Sequence, residues 1–240
     1  PIGLCVGLPV DPALVAPPLD RTVTTTMAAM TEFLHSGPDA VQRGVAAGTI
    51  VPERAALLRG GVSGRDSGLP VAGALVTIHQ HGKFGWTFTR ADGRFDMVVN
   101  GGGALVLRVD KPGLLPVQRG VAVPWQGSVE LDPVSMVELD PEVTTVDFSE
   151  PIQVARGSVV ADADGQRQAT LLFPQGTQVT MELQDGSLVL LPSMAVRLTE
   201  YTGGPNGPAA MPAELPPQSL YTYALELSAD EALAAGATSI

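Results

Sequence analysis

The stretch Gly60–Val109 constrains the fold most. Three apolar runs alternate inside it: Ala74, Val76 and Ile78; Phe95, Met97 and Val99; Leu105, Leu107 and Val109. Side chains two apart share a face of a strand, so each run presents one apolar stripe that needs a second layer to bury it. Turn residues punctuate the runs: Ser67-Gly68 before the first, Asp92-Gly93 before the second and Gly101-Gly102-Gly103 before the third. Asp-Gly between alternating runs is a hairpin signal, because glycine accepts the positive φ of the turn.

The rest of the chain reads the same way. Glycine (27) and proline (21) are abundant in the 240 residues, as short strands and many turns require, and 45% hydrophobic content is enough for a core. The sequence predicts an all-β protein of two tandem β-sandwich-like domains, with a partly irregular N-terminal segment and a short helix near the C-terminus. Residues 1–55 are expected to be extended or irregular. Thr22–Leu34 within them has no clean period, and a short strand or one helical turn both fit. Residues 56–140 are expected to form the first sandwich, and 150–240 a second β domain truncated at its C-terminus. In that second domain Val179, Met181 and Leu183 alternate before Asp185-Gly186, and Leu188–Leu191 follows. Gly203–Pro217 is too rich in proline for ladder pairing. A strand is expected over Tyr221–Leu227, then a capping box from Ser228 to Glu231, a helix over Ala232–Ala235 and a stop at Gly236. The chain opens on proline and ends on a nascent strand, so it is expected to be a fragment of a longer protein.

Charge and composition argue against several function classes. The net charge is −11, and the 14 basic residues are scattered singly. No basic patch is available to neutralise phosphates or anionic lipid, and no run reaches membrane-spanning length, so neither nucleic acid nor membrane insertion is expected. The lone Cys5 allows no internal disulfide and has no surroundings that would make it a nucleophile. His79 and His81 share a strand face, yet no third ligand has matching spacing, and polar residues at a strand end explain them. Asp162, Asp164 and Gly165 lack the downstream glutamate of a calcium loop and read as a turn. No cofactor, metal or catalytic residue is expected.

Residues 70–113 resemble the carboxypeptidase regulatory-like domain, a small transthyretin-type sandwich. The resemblance rests on Pro70-Val71-Ala72-Gly73-Ala74, on Thr89-Arg90-Ala91-Asp92-Gly93-Arg94-Phe95, on Leu105–Val109 and on Lys111-Pro112-Gly113. The family usually has an acidic residue where Arg90 stands, a departure expected at an exposed turn. Longer phrases extend the likeness, among them Leu115-Pro116-Val117-Gln118-Arg119, Val123-Pro124-Trp125-Gln126, Pro151–Ser158, Arg167–Pro174 and Gly204–Pro212. In this order they resemble the region that precedes the YD-repeat shell of large bacterial RHS-repeat proteins of the teneurin-like kind. The resemblance implies a non-catalytic accessory module in an exported or surface protein, docked on or plugging the rest of that chain.

One aromatic cluster stands apart from this reading. The family pattern puts Thr87 and Thr89 on the core side, which leaves Trp86 and Phe88 on the outer face, where another segment or a ligand would cover them. The inverse assignment, with both aromatics in the core, stays open. An alternative function, binding of carbohydrate, would use Trp86, Phe84 and Trp125 as stacking surfaces.

Overall fold

The computed structural model describes residues 7–163, 165–203, 207–214 and 223–240. The architecture is predominantly β. The chain divides into two compact units, one of residues 1–137 with 209–217 and one of 138–208 with 218–240.

In the first unit two short helices, α1 (Pro12–Val15) and α2 (Met27–His35), precede strands β1 (Ala55–Gly64), β2 (Leu75–Ile78), β3 (Trp86–Phe88), β4 (Arg94–Asn100), β5 (Gly103–Asp110), β6 (Val117–Val123), β7 (Ser128–Glu130) and β8 (Val134–Met136). One sheet has the order β3-β2-β5-β6, all antiparallel. The other is built around β1, which pairs antiparallel with β4 and parallel with both β7 and β8. The three alternating runs meet between these sheets. Ala74, Val76, Ile78, Phe95, Met97, Val99, Leu107 and Val109 are all buried in one cluster, and Leu105 packs at its margin. Eight such side chains taken out of water account for much of the unit's stabilisation, at roughly 1.5–3 kcal/mol for each large one.

A third layer was not legible as a helix. The Oγ1 of Thr26 accepts a hydrogen bond from the Ala29 N–H and starts α2. Leu34 of α2, with Met27 and Phe33, packs against Val41, Leu57 and Val98 on the outer face of the β4-β1 pair. The N-terminal stretch is thus part of the fold and explains why β1 is buried on both faces over its first four residues.

Three edges of this sandwich, those of β3, β4 and β6, are bonded by segments that are not strands. At the β3 edge, the Arg43 N–H donates to the Trp86 carbonyl at 2.7 Å and the Trp86 N–H donates back to the Arg43 carbonyl at 2.8 Å. The approach requires Gly85, whose φ is +66° and where a Cβ would collide with the Arg43 carbonyl. At the β4 edge the fully buried Gln42 side chain replaces a strand: its amide nitrogen donates to the carbonyls of Phe84 (2.7 Å) and Val98 (2.9 Å), and its oxygen accepts from the Val98 N–H (2.6 Å). At the β6 edge the Gln118 N–H donates to the Pro212 carbonyl (2.7 Å), while Arg119 donates to the carbonyls of Ala209 (2.6 Å) and Met211 (2.9 Å).

The second unit holds β9 (Thr144–Asp147), β10 (Gln153–Asp162), β11 (Gly165–Phe173), β12 (Val179–Glu182), β13 (Leu188–Leu191), β14 (Ser193–Glu200) and β15 (Leu225–Ala229), with the C-terminal helix α4 (Asp230–Ala235); the one-turn helix α3 (Gly207–Ala210) spans the point where the chain passes from the second unit to the first. Its strands make two hairpins, β10-β11 and β12-β13, and a three-stranded sheet β15-β14-β9. Val146, Phe148, Ala155, Phe173, Leu191, Met194, Val196 and Leu198 form its core, with the rings of Phe148 and Phe173 6.0 Å apart. Asp140 pins the bulge in β10. Its carboxylate accepts from the Ser158 N–H (2.8 Å), the Ser158 hydroxyl (2.7 Å) and the Glu142 N–H (2.8 Å), close against Gly157.

The C-terminal helix forms and ends at Gly236 in the left-handed region, but the capping box does not. Ser228 lies buried in β15, and the Glu231 carboxylate instead accepts the Ala195 N–H of β14. A cross-strand partner outcompeted the local one. Of the strand expected over Tyr221–Leu227, Tyr221 and Thr222 lie outside the described residues, and the strand runs to Ala229.

Candidate functional site

The candidate site is the aromatic face of β3. Thr87 and Thr89 are buried, 1% and 0% exposed. The Thr87 hydroxyl donates to the Val41 carbonyl at 2.9 Å. That of Thr89 donates to the Val71 carbonyl at 2.6 Å and accepts the Ala74 N–H at 2.8 Å. These bonds make the threonine side tolerable in the interior. Trp86 and Phe88 therefore stand on the outer side, half-buried, with ring centroids 5.1 Å apart and tilted by 60°.

The chain's own N-terminal stretch forms the other wall of a cleft beside them. Leu8, Pro9, Val10 and Val15, with Pro38–Val41 and Arg43, line a cleft of about 210 Å³ against both rings. Phe84 is elsewhere: it is 8% exposed, belongs to the sandwich core and meets the His81 ring edge-on at 6.3 Å. Trp125 is elsewhere again, and 62% exposed. It lies on the backbone of Gly101 and Gly102, where an added Cβ would collide with the Pro124 carbonyl and the indole nitrogen. The Arg54 guanidinium is 5.5 Å from the indole centroid and donates through Nε (3.0 Å) and Nη2 (2.8 Å) to the Gly101 carbonyl. That places a cation over one ring face and leaves the indole fixed in position. Structure thus brings Trp86 and Phe88 together and keeps Phe84 and Trp125 apart from them.

Two polar clusters were not anticipated. Arg90 is not at an exposed turn. It is 9% exposed and paired with the buried Asp96, which also holds Arg59 at 2.8 Å. The charge of Asp96 gives the departure from the family pattern its reason: an acidic residue at position 90 would face a buried carboxylate. Gln42, a lone amide in a connector, offered no pattern to read. His79 and His81 follow β2, and the His79 N–H donates to the Val106 carbonyl at 2.8 Å. Among the described residues no three histidine, cysteine or carboxylate side chains are grouped to hold a metal, and no helix is long and apolar enough to cross a membrane.

Two facing sheets around β1 and β2, closed at their edges by irregular segments, define a transthyretin-like domain. The family model "Teneurin TTR-like domain" matches residues 50–136. Human Teneurin-1 is 33% identical over 96 residues, 40% of this chain and 4% of its own length. Human Teneurin-4 is 28% identical over 141 residues, 55% of this chain and 5% of its own length. The chain thus spans about one twentieth of the relatives it matches. Among solved structures, a proposed carbohydrate binding protein from Bacteroides uniformis aligns at a TM-score of 0.27 and 14% identity over 63% of this chain and 64% of that one. The sandwich is a transthyretin-like domain related to those of teneurins.

Proposed function

We propose that this chain is an interaction and spacer module of a large extracellular or surface protein, in which it precedes a YD-repeat shell of the RHS kind and docks on the rest of the polypeptide. The observation that carries the reading is the length of the Teneurin-4 alignment. Its 141 residues exceed the 50–136 stretch of the domain, so the kinship extends beyond one portable sandwich. The Trp86–Phe88 cleft supports the same reading, since an apolar groove on the outer sheet, walled on one side by the chain's own N-terminal stretch, is suited to holding neighbouring segments in register. Completing the reading frame of the parent protein tests it. YD repeats should follow this region, and their absence would remove the RHS assignment.

A second reading, binding of carbohydrate, is favoured by Trp125. An exposed indole held over a glycine pair presents a flat apolar surface with little rotamer entropy left to lose, as stacking on a sugar ring requires. In a Trp86→Phe background, a glycan that engages Trp125 should change its fluorescence, and Trp125→Ala should abolish retention on a glycan array. Retention that survives Trp125→Ala would reject this site.

A further inference from the structure

The β12-β13 hairpin of the second unit carries an unclaimed edge. Both backbone groups of Glu182 point away from β13: its N–H donates to the Ser239 carbonyl (3.0 Å) and its carbonyl accepts from the Thr238 N–H (2.7 Å). At the hairpin end the Leu183 N–H donates to the Ser187 carbonyl (2.9 Å), so Leu183 and Ser187 face each other as a bonded position of the ladder. Antiparallel ladders alternate between bonded and non-bonded pairs. In the observed register, Glu182↔Leu188 and Thr180↔Leu190 are the non-bonded pairs. The N–H and C=O groups of Leu188 and Leu190 therefore point outward from the free side of β13. Among the described residues no backbone or side-chain bond reaches them.

Their side chains match this. Leu188 and Leu190 share the outer face of the hairpin at 68% and 60% exposure, and Val189 between them is 37% exposed. Proteins protect free edges with lysine, proline, bulges or a covering segment. β13 reads Leu-Val-Leu-Leu, with none of these inside it. Charge indicates what fits. Of the chain's 25 acidic and 14 basic residues, the second unit holds 13 and 3, leaving 12 and 11 for the first, so −10 of the net −11 lies on the unit that bears the open edge. A second copy would bring the same charge and be repelled.

We propose that β13 is a docking edge for an extended segment of a partner polypeptide, in which apolar residues alternate with lysine or arginine. The segment adds a strand beside β13. Its backbone satisfies Leu188 and Leu190, its apolar side chains cover the two leucines, and its cations meet the acidic field of the unit. This goes beyond the docking role above, which concerns the first unit.

The test uses the full 240-residue chain and three synthetic decapeptides: alternating valine and lysine, alternating valine and glutamate, and the lysine peptide with every valine replaced by glycine. Titration with hydrogen exchange should show the lysine peptide binding and slowing exchange at Leu188 and Leu190 about tenfold or more. Both other peptides should bind at least about tenfold more weakly. Leu190→Pro removes only an outward N–H and should lose binding with the hairpin intact; Leu190→Lys should weaken it by charge and keep the strand. Equal binding of the lysine peptide by Leu190→Pro, with unchanged circular dichroism, overturns the proposal, as does equal affinity for the glutamate peptide or no binding at all. Protection of the same amides on concentration alone, with dimers in sedimentation, replaces the partner segment with a second copy and also overturns it.

Discussion

The two units spend similar materials differently. The first closes its edges with its own chain: Arg43 on β3, Gln42 on β4 and the Ala209–Pro212 segment on β6. It carries a nearly balanced charge of 12 acidic against 11 basic residues. The second splits its strands among three small sheets, leaves leucines and valines of β10, β11, β13 and β15 exposed, and concentrates negative charge. A sandwich with three edges bonded by its own connectors offers little backbone there to another chain. A unit with unfinished edges and a strong net charge remains receptive, and the charge keeps it soluble meanwhile. The difference shows that strand content says little about whether a β unit is self-sufficient; the connectors decide it.

The largest effect should come from the connector with the most buried bonds. Gln42→Ala leaves the Phe84 carbonyl and both backbone groups of Val98 without partners in the interior. The expected loss is roughly 3–5 kcal/mol, at about 1–3 kcal/mol per orphaned group. In urea denaturation the transition of the first unit should move and that of the second should stay. A loss below about 1 kcal/mol would mean that water replaces the amide and that the edge is not closed by Gln42.

Asp140→Ala is the matching cut in the second unit. It strips three donors of their acceptor at the β10 bulge and should cost about 2–3 kcal/mol, confined to the second transition. A shift of both transitions together would make the two units one cooperative object. Next in size is deletion of residues 1–25, which removes Leu8, Val10 and Val15 from the Trp86–Phe88 face. In a Trp125→Phe background the emission should move to the red and quenching should increase, with a loss of about 1–2 kcal/mol. An unchanged spectrum would assign the cover to residues 38–43 alone.

The smallest effect is a pH dependence in the second unit. Burial raises the Glu226 carboxyl above its ordinary value of 4.5, partly offset by the Tyr201 hydroxyl that donates to it at 3.3 Å. A carboxyl harder to ionise in the folded than in the unfolded state favours folding while protonated. That contribution is present below the ordinary value and is lost as pH rises through the raised one. Glu226→Gln should therefore raise the midpoint of the second transition at neutral pH and leave it unchanged in acid.

Much of the first unit was legible because it is written in local alternation. Ala74-Val76-Ile78 and Phe95-Met97-Val99 specify their own faces, and the threonine side of β3 follows from the Thr89 to Phe95 phrase. What was not legible depends on partners distant in sequence. Gln42 meets Val98 56 residues later, and nothing near Gln42 announces it. Arg90 read as a surface residue because its reason is Asp96, and α2 lacked a clean period because packing on Leu57 and Val98 rather than propensity holds it. The Ser228 box failed by the same logic, since β14 supplied a better partner. Of the aromatic site, the pairing of Trp86 with Phe88 was readable from spacing; the burial of Phe84 and the glycine seat of Trp125 were not.

The clamp on β6 also has a consequence for synthesis. Its donor Arg119 leaves the ribosome before its acceptor carbonyls, which follow 90 and 92 residues later. At about 5–20 residues per second, the sandwich waits roughly 5–20 s with that edge bare. A nascent chain stalled just short of Ala209 should therefore recruit a chaperone or a neighbouring polysome's product at β6, whereas one stalled after the clamp has emerged should not.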